Sequence, residues 1–167
     1  TLVGTEIVSG GNGANQGVIG ELVTYRLVID FPEATVPQSV ITDQLDAGLA
    51  FVNVISTSDS GITYSGSLTP VITNDGQTIT FDLGTVTDSD TSDGNGGQLT
   101  IEYQAVVLNT SGNQAATALD NVATYTWGDN AANDVTDDAV DVTVVEPEIT
   151  LDQSISIAGN AGQTTGD

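Results

Sequence analysis

Carboxylates are the groups in this chain with the chemistry to bind something. There are 23 Asp and Glu residues against one basic residue, Arg26, with no His, Cys or Met. Two loops concentrate them. The segment Asp88-Ser89-Asp90-Thr91-Ser92-Asp93-Gly94-Asn95-Gly96-Gly97 carries acidic side chains at close intervals, and its glycines permit a sharp turn. Asp88, Asp90, Asp93 and Asn95 are therefore candidate oxygen ligands for a hard cation, calcium above all. The spacing is not that of an EF-hand: Asp93 stands where that motif needs Gly, and no bidentate Glu closes the loop. The segment 128–138 offers a second set, Asp129, Asp134, Asp137 and Asp138. The competing reading of both loops is a solvated Asp/Asn/Gly turn in a salt-adapted protein.

The same composition removes other chemistries. A formal charge of -22 on 167 residues makes every contact with nucleic acid or an anionic membrane repulsive. Without His, Cys or Lys there is no imidazole base, thiol nucleophile, Schiff base or zinc-type ligand set, so the chain is not expected to be an enzyme. Asp137 and Asp138 do not imitate a glycosidase pair, because neighbours on a strand point to opposite faces. No apolar run approaches the ~20 residues of a membrane span. Thr1-Leu2-Val3-Gly4 lacks a leader's basic and apolar regions, which suggests a mature or excised segment. So large a charge destabilises a compact chain by self-repulsion unless ions screen it, which points to salty or calcium-containing surroundings outside the cell.

The elements that must position these loops read as strands from end to end. Leu22 to Ile29 is rich in β-branched and aromatic residues. Residues 78–83 place Ile79, Phe81 and Leu83 on one face, and residues 99–105 do the same with Leu99, Ile101 and Tyr103. Residues 121–127 put Tyr125 and Trp127 on a shared face, and 140–144 align three valines. Asn74-Asp75-Gly76 is a hairpin signal. Residues 115–120 suggest one short turn, and no stretch sustains a helical period. Short strands separated by Gly, Asn and Asp imply an all-β protein, an immunoglobulin-like Greek-key β-sandwich.

An internal echo sets the boundaries. Thr1-Leu2, a Ser/Gly-containing stretch and Gly20-Glu21 correspond to Thr150-Leu151, a similar stretch and Gly166-Asp167. Glu146-Pro147-Glu148 just before the second copy suits a stiff linker. Residues 1–146 are thus read as one complete repeat. Residues 147–167 are a linker and the opening strand of a following repeat, or a strand given to a neighbouring subunit.

Gly20-Glu21-Leu22-Val23-Thr24-Tyr25, followed by Thr42-Asp43-Gln44-Leu45-Asp46-Ala47-Gly48-Leu49-Ala50-Phe51-Val52, resembles a conserved sandwich repeat of bacterial and archaeal surface proteins. Leu83-Gly84-Thr85-Val86, Ile101-Glu102-Tyr103, Asn121-Val122-Ala123 and the closing Val142 to Pro147 continue the resemblance over nearly the first 147 residues. It implies a module strung along a cell-surface or secreted protein, related to pilin-type domains that form internal isopeptide bonds. This chain departs from them in having Gln153 where a Lys is common and no Lys anywhere, so it cannot form a Lys–Asn crosslink.

Strand alternation further predicts that Thr1 and the loops 30–37, 84–98 and 128–138 share one end of the sandwich. That end would gather Asp30, Glu33, Asp88, Asp90, Asp93, Asp129, Asp134, Asp137 and Asp138, mutually repulsive unless cations bridge them. The reading that results is a non-enzymatic structural subunit of an extracellular surface protein, adhesin or fibre, stabilised by calcium. Its partners are adjacent repeats or identical subunits, engaged by strand addition through residues 148–158, where Ile155 and Ile157 share a face. The alternative is a carbohydrate-binding adhesin module with Tyr125 and Trp127 as a stacking platform, although aromatics on a strand more often belong to a core.

Overall fold

The computed structural model describes residues 2–5, 15–88, 96–146 and 151–154. In chain order the strands are β1 (Leu2–Thr5), β2 (Gln16–Gly17), β3 (Leu22–Asp30), β4 (Thr35–Leu45), β5 (Leu49–Ser60), β6 (Ile62–Tyr64) and β7 (Val71–Thr73). They continue with β8 (Thr78–Asp88), β9 (Gln98–Val107), β10 (Ala118–Leu119), β11 (Asn121–Thr126), β12 (Val135–Thr136) and β13 (Val142–Val144). Period-two alternation is what writes them. Ile79, Phe81 and Leu83 on β8 and Leu99, Ile101 and Tyr103 on β9 are all fully buried, while the residues between them face outward.

One sheet has the order β1-β3-β9-β5. The facing sheet has the order β12-β11-β4-β8-β6, with β7 also on β8. A small sheet, β10-β13-β2, continues it. Backbone bonds knit the two: Asp137 N–H donates to Ala123 O at 3.0 Å, and Asn121 and Val140 exchange a pair at 3.0 and 3.1 Å. The closing segment 135–144 therefore runs antiparallel along 118–126, and β2 adds to β13 in parallel. The result is the expected immunoglobulin-like β-sandwich. β8 and β9, consecutive and opposite in direction, do not pair; they lie in different sheets and face each other across the core.

Three local features follow from particular residues. Asn74, Asp75 and Gly76 take φ values of 52, 55 and 93°, turning β7 back onto β8 as the hairpin signal predicted. Residues 115–116 form the expected turn, which leads into β10. β4 is interrupted at Pro37-Gln38, where Pro has no N–H for the ladder and Gln38 adopts φ 52°, so the β4–β8 register shifts there.

Strand directions place the loops as expected. Phe31 N–H donates to Gly97 O at 2.7 Å, Asp88 N–H to Ala34 O at 3.0 Å and Gly128 N–H to Pro37 O at 3.0 Å. The loops after β3, β8 and β11 thus meet at one end, called here the near end. β13 runs to the opposite, far end, where Ala116 N–H donates to Val144 O at 2.8 Å. Thr1, the linker residues 147–150 and most of the tail lie outside the described residues. Within the tail, Leu151 is 90% exposed.

Candidate functional site

The near-end loops were the first candidates. Asp88 closes the base of its loop: it is 5% exposed, and its Oδ2 accepts the Gly97 N–H at 2.6 Å. Asp90, Asp93 and Asn95 lie outside the described residues. The glycines that end this loop have a packing reason. A Cβ on Gly96 would run into the Phe31 carbonyl, and one on Gly97 would meet Ile62 Cγ2 and the Ser60 carbonyl. In the second loop Asp129, Asp134, Asp137 and Asp138 are all exposed. That loop is ordered by its own amides: Asn130 Oδ1 accepts the Ala132 N–H at 3.0 Å, and Asn133 Nδ2 donates to Trp127 O at 3.2 Å. Among the described residues, no three acidic side chains come close enough together to hold a metal ion.

The near end also holds a cleft of about 560 Å³ between β3 on one sheet and β11–β12 on the other. Leu27, Ile29, Phe31, Ile41, Tyr125 and Trp127 line it, with Val135 and Asp137 on one wall and Arg26 and Asp30 on the other. The shared face read for Tyr125 and Trp127 is real: the rings stack at 5.4 Å and 27°. Phe31 meets Tyr125 edge-on at 5.8 Å. Tyr125 is held in place by its hydroxyl, which donates to Ser39 Oγ at 2.9 Å; Ser39 in turn donates to Val36 O at 3.1 Å. Both aromatics are half-buried, so they belong to the cleft and not to the closed core.

Arg26 stands on the outer face of β3, beside the cleft. Its Nε donates to Glu102 Oε1 at 2.8 Å, and Ser56 Oγ donates to Glu102 Oε2 at 2.9 Å. Hydrogen bonds from Arg26 and then Ser56 hold the Glu102 carboxyl below its usual range. This crosses β3, β9 and β5, the three strands that carry these residues.

A second polar constellation, absent from the sequence reading, sits inside the core. Asp43 on β4 is fully buried, and its Oδ2 accepts the Tyr103 hydroxyl at 2.7 Å. Asn121 Nδ2 donates to that hydroxyl at 2.8 Å, and Tyr25 stacks on Tyr103 at 5.5 Å. Burial raises the Asp43 carboxyl above its ordinary range, against the lowering effect of the Tyr103 and Asn121 hydrogen bonds. The Tyr103 and Tyr25 hydroxyls are pushed up, first by burial and then by the Asp43 charge. Among the described residues, Tyr25 Oη, Asp43 Oδ1 and Asn121 Oδ1 meet no hydrogen-bond partner. A signal existed: Ile41, Asp43 and Leu45 share the inward face of one alternating strand.

No family model matches the chain, and no curated protein matches it. Among solved structures the chain is similar to the N-terminal domain of the Streptococcus gordonii adhesin Sgo0707. That likeness has 14% identity and a TM-score of 0.53, over 85% of this chain and 32% of that one. It is also similar to the full-length RrgB pilus protein of Streptococcus pneumoniae, with 15% identity and a TM-score of 0.50, over 76% of this chain and 22% of that one. The chain thus spans about a third or less of these two structures. At such identity the likeness establishes the fold.

Proposed function

We propose that this chain is a non-enzymatic structural subunit or repeat of an extracellular surface protein or fibre, assembling end to end. The observation that carries the reading is the course of the chain. β1 lies along β3 with Leu2 opposite Tyr25 and runs away from the near end, while β13 leaves at the far end, so a following copy would continue the long axis. The resemblance of an adhesin domain and a pilus protein in fold supports it. Assembly would run through residues 148–158, whose alternating Ile and polar residues suit an added strand. Calcium belongs to this reading on electrostatic grounds, because the near end collects like charges that an oxygen-ligated cation would offset.

Sedimentation velocity of the full chain and of a chain ending at residue 147 tests the assembly. The full chain should self-associate, and the shortened one should remain a folded monomer. Equal behaviour of the two would remove the tail from assembly.

One observation favours a second reading, a carbohydrate-binding adhesin module. The stacked Tyr125–Trp127 pair lines an open cleft beside acidic loops, and aromatic faces of this kind pack against sugar rings.

A further inference from the structure

The cleft opens where β1 stops. The described pairing of β1 with β3 ends at Leu2 opposite Tyr25. Among the described residues, the stretch of β3 from Leu27 to Asp30 pairs with β9 alone. One backbone edge of that stretch therefore meets the cleft as a template for a further strand.

The sequence contains a strand that fits it. Thr150-Leu151 repeats Thr1-Leu2, and in front of it stand Glu146, Pro147, Glu148 and Ile149. With Leu151 in the place of Leu2, the antiparallel register continues with Ile149 opposite Leu27 and Pro147 opposite Ile29. Glu148 and Glu146 then fall opposite Val28 and Asp30. Leu27 is buried and Ile29 half-buried, whereas Val28 and Asp30 are exposed. Period-two alternation turns Ile149 and Pro147 into the apolar cleft and both glutamates to solvent. Pro is tolerated here because an edge strand does not need every N–H. On the outer face Glu148 lies diagonal to Arg26, while Glu146 meets Asp30 as a like-charge pair that works against the seat.

We propose that this cleft is the seat of residues 146–149 of a second copy of the chain, laid antiparallel on β3 as the upstream continuation of β1. The far end of one copy then abuts the near end of the next. This rests on the reading of the chain as an assembling subunit and adds the acceptor, the register and the two anchoring side chains. A free sugar in the cleft is the competing occupant.

Trp127, the only tryptophan, lines the seat and reports on it. The first arm adds Glu-Pro-Glu-Ile directly before Thr1 of the full chain. A parallel variant adds Glu-Pro-Glu-Asp. The first extension should raise the melting midpoint, shift Trp127 emission to the blue and reduce its quenching by acrylamide; the Asp-ended one should do none of these. An Ile-ended extension that behaves like the Asp-ended one overturns the proposal. The second arm follows self-association of the unextended full chain beside Val135→Glu, a change on the exposed wall of the cleft that leaves the core intact. Weakened association of the variant supports the seat. Association that proceeds unchanged, with Trp127 fully quenchable throughout, overturns the seat while leaving subunit assembly standing. A protected Trp127 in the Ile-ended extension beside a monomeric full chain overturns the second copy as occupant, because the cleft then takes the segment only when it is joined to the same chain. Maltohexaose and chitohexaose serve as sugar probes: a shift of Trp127 emission by either, without any effect of the extension, overturns the proposal in favour of the sugar.

Discussion

A buried carboxylate held by a tyrosine hydroxyl sets the chemistry of the core. The folded pKa of Asp43 lies above its unfolded value, so its contribution to stability is present below the unfolded carboxylate range and is lost as pH rises through the folded value. Asp43→Asn retains an oxygen for the Tyr103 hydroxyl and removes the charge. The variant should therefore match or exceed the parent melting midpoint at pH 7, and the gap between them should close as pH falls below the usual carboxylate range. A gap independent of pH would show that Asp43 is not the titrating group. Tyr103→Phe removes the donor to Asp43 and the acceptor for Asn121, and should cost about 1–3 kcal/mol in chemical denaturation. This cluster was legible in part, because Asp43 falls on the apolar face of an alternating strand. The identity of its partners was not, since Tyr103 and Asn121 come from β9 and β11, 60 and 18 residues from the atoms they meet.

The strands differ in how openly the sequence displays them. β8 and β9 announce themselves because each is buried on one face only, which enforces clean alternation. β5 did not, since it is an edge strand whose second half, Ser56 to Ser60, is exposed at every position and has no apolar series to read. β4 hid behind Pro37 and the irregularity that follows it, which breaks the period. Loops carried the weakest message. Glycines near Asp88 suggested a cation turn, yet Gly96 and Gly97 also answer to the close approach of Phe31, Ile62 and Ser60. Gly97→Ala should accordingly destabilise by about 1–3 kcal/mol through overpacking, measured with or without calcium. A loss seen only in the presence of calcium would assign that glycine to ion binding instead. Phe81→Ala, at a fully buried site on β8, should lose about 3–5 kcal/mol.

Charge and chain course are properties of the whole molecule, and the first was visible early. The excess of carboxylates leads to a prediction about ions: millimolar calcium should raise the melting midpoint relative to chelator, and sodium at matched ionic strength should not replace it. A ligand at a hundredfold excess over its Kd stabilises the fold that binds it by roughly 2.7 kcal/mol. Equal midpoints would reduce the acidic loops to solvated turns. The axial path from β1 to β13 was less legible, because pairing partners, not local patterns, fix which end each strand reaches. That path underlies the central claim of end-to-end assembly, which small-angle scattering of the full chain at rising concentration tests most directly. The account predicts particles that lengthen copy by copy along the sandwich axis while the cross-sectional radius stays constant. Growth in the cross-section, as from side-by-side pairing, or a monomer at every concentration, would contradict it.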